Sequence, residues 1–332
     1  MRPGLTPLLA QQRLELLVGL GFQHRGIVGS WVDEPVRREP LMAPNPLQLP
    51  WCAAPVGIVG LGLIGGSIAL DLRQRGIAVH GLVHRDSTAL RAQERGLVDR
   101  VGTAPEVLQG CGLVVLALPL ERLLEPDPGL VAALPAEAVV TDVGSVKQPL
   151  LERWQALHPR FVASHPMAGT AEAGVEAGVA GLFAGRPWVA TPTDQTDPQA
   201  LAVVQQLAEL LGSNWFCCGA AQHDQAVALI SHLPVLVSAA LLHNADRAAP
   251  AQPLHGLVRA LASSGFADTT RVGGGNPQLG TQMARTNRAQ VLAALAGYRA
   301  SLAELEQRLV EDDWSQLEAD LQLAQRLRPE FL

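Results

Sequence analysis

The chain has 332 residues, 48% of them hydrophobic and 17% charged, enough apolar material for two domains with sizeable cores. A net charge of -6 excludes the basic surface that nucleic acid requires, and no run of about 18 uninterrupted apolar residues reads as a membrane span. Cys52, Cys111, Cys217 and Cys218 lack Cys-x-x-Cys spacing, which argues against a zinc site or a disulfide framework and fits reduced thiols in a cytoplasm.

Residues 1–52 carry Pro3, Pro7, Pro35, Pro40, Pro44, Pro46 and Pro50 and read as a poorly ordered extension, with one short helix near Leu8 to Leu20. The apolar patch Leu14 to Phe22 has no cationic leader and no small-residue cleavage site, so it is not read as an export signal. From residue 53 the pattern changes. Val56 to Val59 reads as a strand that breaks into Gly60-x-Gly62-x-x-Gly65 and resumes with helical spacing. In such a turn Gly60 permits unusual backbone angles, Gly62 admits a pyrophosphate and Gly65 lets the helix lie close, while the first helical N–H groups face the phosphates. Leu63 and Ile64 belong to the same predicted cofactor turn.

Further buried strands are predicted at Ala78 to Val83, Gly112 to Leu118, Ala138 to Asp142, Phe161 to Ser164, Trp188 to Thr191 and Asn214 to Cys217, alternating with helices. Alternation of this kind implies a Rossmann-type, mainly parallel α/β sheet covered on both faces, over residues 53–218. Ligands in such sheets lie beyond the carboxyl ends of the strands. Pro119, the run Asp142 to Lys147 and the run His165 to Thr170 all stand at such ends. A carboxylate about twenty residues past the glycines selects NAD. Val83 occupies that place, and His84, Arg85, Ser87 and Thr88 after it offer a cation and hydroxyls to a 2′-phosphate, which favours NADP. The alternative leaves Arg85 solvated and swings Asp86 onto the ribose.

Residues 219–330 read as helical, over Ala220 to Asp246, Pro253 to Ala262, Asn276 to Thr286 and Arg288 to Leu327. Leu295, Tyr298, Leu302, Leu305 and Leu309 form one apolar stripe, which packs within its own domain or against a second copy. The glycine-rich stretch from Ala262 to Pro277 reads as a break that brings backbone, and Arg271, to a ligand. Among the histidines, His165 is the best placed general base: it follows a strand, and Pro166 fixes the backbone behind it. Ser145 on the neighbouring strand end is positioned to assist. His84, His158 and His243 read as surface residues.

Taken together, Gly60 to Gly66, Thr141 to Lys147, His165 to Gly169, His223-Asp224-Gln225, Ser231-His232-Leu233-Pro234 and Ser264 to Arg271 resemble the prephenate and arogenate dehydrogenase family, from about Val56 to the C-terminus. The resemblance implies a Rossmann domain followed by an all-helical dimerisation domain like the C-terminal domain of 6-phosphogluconate dehydrogenase. It also implies a homodimer and oxidative decarboxylation of a cyclohexadienol in tyrosine biosynthesis, with a small-molecule substrate and no nucleic acid, membrane or metal partner. By the family pattern His165 accepts the ring hydroxyl proton, Ser145 assists it and orients the nicotinamide, and Arg271 binds a substrate carboxylate. His223, His232 and Thr170 are carried over as substrate-site residues. Members that use prephenate commonly read Ser-His-Leu-Pro-His, and many carry an acidic residue where Ala171 stands; Val235 replaces the second histidine here. That pattern, with the missing carboxylate after the second strand, looks like the NADP-dependent arogenate dehydrogenases. The alternatives are a prephenate dehydrogenase making 4-hydroxyphenylpyruvate, and a non-catalytic NADP-sensing protein. A β-hydroxyacid dehydrogenase is disfavoured, because those place a lysine on the first long helix of the helical domain whereas Lys147, the only lysine, precedes it.

Overall fold

The computed structural model describes residues 49–170, 172–248 and 254–331. The helix expected near Leu8 to Leu20, and Ala171, lie outside the described residues. The predicted extension to residue 52 overlaps described chain at its end. Pro50–Ala53 forms a single 3₁₀ turn, Trp51 is buried, and its indole N–H donates to Gln206 Oε1 at 3.0 Å. An apolar ring at that point outweighed the disordering reading of the prolines around it.

Six parallel strands make the principal sheet: β1 (Val56–Val59), β2 (Val79–Leu82), β3 (Arg100–Gly102), β4 (Leu113–Leu116), β5 (Val139–Asp142) and β6 (Phe161–Val162). Their spatial order is β3-β2-β1-β4-β5-β6. Alternate residues of one strand enter opposite cores. Ile58, Val115 and Val139 join one apolar cluster, whereas Val59, Val114 and Val140 join the other. Both faces are therefore covered, which is why the central strands β1 and β4 read as apolar runs. Helix α1 (Leu63–Gln74) follows β1, and α2 (Asp86–Glu94) follows β2. After β4 come α3 (Leu120–Leu124) and α4 (Pro128–Ala133), and after β5 comes α5 (Gln148–Gln155).

The predicted strand Phe161 to Ser164 is two strands. The chain leaves the first sheet at Ala163 and enters a second with β7 (Ser164–Pro166), paired antiparallel to β8 (Pro187–Ala190), which pairs parallel with β9 (Asn214–Cys217). His165 consequently sits within β7, opposite Val189, and not after a strand. β3 was not expected, because a three-residue edge strand beginning with exposed Arg100 leaves no apolar run. Helix α6 (Pro198–Leu210) starts at Asp197-Pro198, with the Asp197 carboxylate accepting the Gln199 N–H at 2.8 Å.

Beyond β9 the described chain is helical. α7 (Ala220–Val227), a π turn (Ala228–His232) and α8 (Leu233–Ala248) run on as one rod, followed by α9 (Leu254–Leu261). The stretch read as a glycine-rich break contains a further helix, α10 (Ser264–Thr270), and then a 3₁₀ turn, Val272–Gly274. There Gly273 packs so closely on α8 that a side chain would collide with the Ser238–Ala239 backbone. α11 (Pro277–Thr286) and α12 (Arg288–Val310) follow. The long helix expected to Leu327 breaks at Glu311–Asp313, where Asp312 takes φ 52° and the Asp313 side chain accepts the Gln316 N–H to start α13 (Trp314–Leu327).

Candidate active site

Parallel strands deliver their carboxyl ends to one edge, so Gly60 after β1, His84 and Arg85 after β2, Pro119 after β4 and Ser145 after β5 share that edge. Gly60 takes φ +94°, and a side chain there would strike the Ala117 carbonyl; one on Gly65 would strike the Gly60 carbonyl and come within 2.9 Å of the Ala117 methyl. At Gly62 the same position is open, and Gly62 caps α1 without a side chain. The helix N-terminus thus presents uncapped N–H groups beside open space, with Leu63 and Ile64 in its first turn, an arrangement that fits a pyrophosphate. Arg85 precedes α2, with His84, Arg85 and Ser87 exposed and Thr88 partly so. Asp86 lies in the first turn of α2, where Thr103 Oγ1 donates to it at 3.4 Å.

His165 is 9% exposed, and its Nδ1 lies 2.9 Å from His223 Nε2. The rings meet edge-on at 71°. His223 Nδ1 in turn lies 2.8 Å from Asp224 Oδ1. The Asp224 carboxylate reaches back to the sheet domain, accepting the Lys147 main-chain N–H at 2.7 Å and the Gln148 N–H at 2.9 Å at the start of α5. Lys147 is fully buried; its ammonium pairs with Asp142 and donates to the Ser164 carbonyl at 2.6 Å, and Ser164 N donates to Asp142 Oδ1 at 3.1 Å. Residues from β5, β7 and α7 are therefore one buried polar network. Desolvation pushes the His165 pKa well below 6.5, and neighbouring His223, Lys147 and His232 push it the same way. The ring is neutral at neutral pH, with Nε2 unpartnered among the described residues.

His232, in the π turn, is 2% exposed, and burial lowers its pKa to about 4. Its Nδ1 faces the Asn287 amide at 3.3 Å, and Asn287 also donates to the Asp224 carbonyl at 2.7 Å. His165, His223 and His232 are thus brought together. Ser145 is partly exposed on the same edge, but the residue bonded to His165 is His223, because the imidazole Nδ1 turns toward α7. Thr170 lies in an exposed loop, where its Oγ1 accepts from the Glu172 N–H at 3.2 Å. Arg271 is exposed at the end of α10, without an ion pair to Asp268 or to any other described residue. His158, expected on the surface, is buried with Nε2 3.2 Å from the Pro135 carbonyl, since the tight turn before β6 folds it inward.

The prephenate dehydrogenase nucleotide-binding domain matches residues 68–216, and the prephenate dehydrogenase dimerization domain matches residues 219–323. The chain belongs to the prephenate/arogenate dehydrogenase family. It is similar to the crystal structure of Synechocystis arogenate dehydrogenase, with a TM-score of 0.70 and 41% identity over 84% of this chain and 100% of that one. It is also similar to prephenate dehydrogenase from A. aeolicus in complex with hydroxyphenyl propionate and NAD+, with a TM-score of 0.78 and 30% identity over 84% and 98% of the two chains. Prephenate dehydrogenase of Bacillus subtilis is 31% identical over 242 residues, covering 71% of this chain but only 64% of that protein's length.

For this family member, sequence reasoning missed Asp224 as a structural centre, the burial of Lys147 and the part of Asn287. The sole lysine, directly after Gly144-Ser145-Val146, was a signal that it serves something other than solubility. In the sequence Asp224 stands only as one residue of His223-Asp224-Gln225, since the main-chain groups that hold its carboxylate lie 76 and 77 residues away.

Proposed function

We propose that the protein oxidatively decarboxylates arogenate to tyrosine with NADP. The observation that carries the reading is His165: a buried, neutral imidazole, held through Nδ1 and bare at Nε2, beside the cofactor edge of a dinucleotide-type sheet. Gly60, Gly62, Leu63, Ile64 and Gly65 would hold the pyrophosphate, His84, Arg85, Ser87 and Thr88 would take the 2′-phosphate, and Pro119 and Ser145 would border the nicotinamide end. A bound nicotinamide would supply the hydride acceptor for ring C4. His165 Nε2 takes the C4 hydroxyl proton as that hydride departs. The bond from C1 to the ring carboxylate then breaks, CO2 leaves, and its electron pair runs through the ring to the C4 oxygen, which regains the proton from His165. Arg271, unpaired among the described residues, takes a substrate carboxylate, and His223, His232 and Thr170 border the substrate.

Arogenate is favoured over prephenate because Val235, packed toward Gly280, removes a cationic side chain where prephenate-using members carry histidine, and because of the similarity to the Synechocystis enzyme. The A. aeolicus complex with NAD+ supports a nicotinamide cofactor in general. The test is the rate of reduced-nicotinamide formation with arogenate or prephenate, each with NADP or NAD. Turnover confined to arogenate with NADP is expected. Preference for prephenate removes the Val235 argument, preference for NAD removes the Arg85 argument, and silence in all four favours a non-catalytic sensor.

A further inference from the structure

His165 can act as a base only if its proton rests on Nδ1 and its lone pair on Nε2, and the hydrogen-bond chain behind it decides which nitrogen is which. At the far end stands Asp224, 4% exposed, whose oxygens accept from the main-chain N–H groups of Lys147 and Gln148. An ionised carboxylate is acceptor-only, so the nitrogen 2.8 Å from it, His223 Nδ1, must carry hydrogen. When that is the only ring hydrogen of His223, its lone pair falls on Nε2, which lies 2.9 Å from His165 Nδ1. That nitrogen must be the donor, and the His165 lone pair falls on Nε2. We propose that Asp224 is the positioning residue of this enzyme: through two imidazole rings it dictates which nitrogen of His165 is basic. The proposal rests on His165 being the general base.

Asp224 is well built for this, because it cannot turn away. Two N–H groups at the start of α5 hold its carboxylate, and Asn287 holds its own carbonyl at 2.7 Å. The contact that joins α7 to the sheet domain is thereby the contact that orders the base. If an amide replaced the carboxylate, its NH2 group would face His223 Nδ1 or a main-chain N–H. In the first arrangement His223 carries its proton on Nε2, donates to His165 Nδ1 and drives the His165 proton onto Nε2, where it blocks the reaction. In hydrolytic triads the equivalent change, which leaves geometry intact and reverses the tautomer, costs about 10⁴-fold in turnover.

The test is a double-mutant cycle on the full-length protein. Asp224→Asn is expected to lower kcat by at least about 100-fold, the usual contribution of a general base, while KM for substrate and cofactor changes little. His223→Gln breaks the dependence, since its amide carbonyl accepts from His165 whatever stands at position 224. In that background Asp224→Asn should change kcat by less than about threefold, a non-additivity that marks direct coupling. Equal losses in the two backgrounds would mean that Asp224 only caps α5, and would overturn the proposal. A second readout needs no turnover and survives failure of the substrate assignment or of an Asp224 or His223 variant to fold. In 15N-labelled wild-type protein, with the His165 signals identified by their loss in His165→Asn, Nδ1 should be protonated and Nε2 bare. Protonated Nε2 in the unliganded wild type refutes the proposal even if the protein turns over arogenate.

Discussion

An imidazole in water is half protonated near pH 6.5, and His165 departs from that because burial, His223, Lys147 and His232 all oppose a positive charge on it. A base with a lowered pKa is unprotonated through neutrality, so kcat/KM should stay flat as pH falls past 6.5 and decline only when the remaining proton affinity of Nε2 is met. A decline centred at 6.5 or above would mean that the ring is solvated in the working enzyme. His165→Asn keeps a polar side chain but removes the proton acceptor, and kcat should fall by at least about 100-fold. A loss within tenfold would assign the proton to another group. His165 was legible in the sequence because a histidine between a β run and a proline at a strand edge is a local pattern. Its partners were not. The bond to His223 spans 58 residues, and the orientation of an imidazole depends on what reaches its far nitrogen, which no local spacing encodes.

At the scale of elements, the sheet was legible wherever both faces are buried, since β1 and β4 are apolar runs and β5 opens on Val139-Val140, and illegible at its edges. β3 has only a half-buried character, and β7 begins on Ser164, the last residue of the run read as one strand with β6, because the division at Ala163 is set by a second sheet. The break between α12 and α13 was hidden because Glu311-Asp312-Asp313 is as polar as a helix surface; what decides it is the left-handed Asp312 and the cap from Asp313. The β1 turn, in contrast, was read correctly from its glycines, and Gly65 is the position that tests it. Helix α1 crosses the turn so closely that Gly65→Ala must displace either the Gly60 carbonyl or Ala117. Overpacking of this kind costs about 1–3 kcal/mol, so the variant should melt several degrees lower and bind the nicotinamide cofactor more weakly. Unchanged affinity would show that the turn does not touch the pyrophosphate.

At the scale of the whole molecule, large apolar side chains stand exposed on three helices of the described C-terminal region. Leu254, Leu257 and Leu261 on α9, Tyr298, Leu302 and Leu309 on α12, and Leu321, Leu323 and Leu327 on α13 are all exposed among the described residues, and α9 and α13 bury none of their own. Soluble monomers seldom expose contiguous apolar patches beyond a few hundred Å². The rod Ala220–Arg247 is long and apolar enough by composition to cross a membrane, yet it carries His223, Asp224 and His232 into the buried network beside the sheet. A second copy of the chain accounts for these faces better than lipid does, in keeping with the dimerization-domain match. Light scattering should therefore give a particle of twice the 35.1 kDa chain mass. Its thermal midpoint should rise with protein concentration, because association stabilises only the folded state. Leu302→Glu combined with Leu309→Glu places charge on the α12 stripe far from His165 in sequence, and should convert the particle to monomer and remove that concentration dependence. A wild-type chain that stays monomeric at micromolar concentration, with a midpoint independent of dilution, would return the stripe to packing within its own domain.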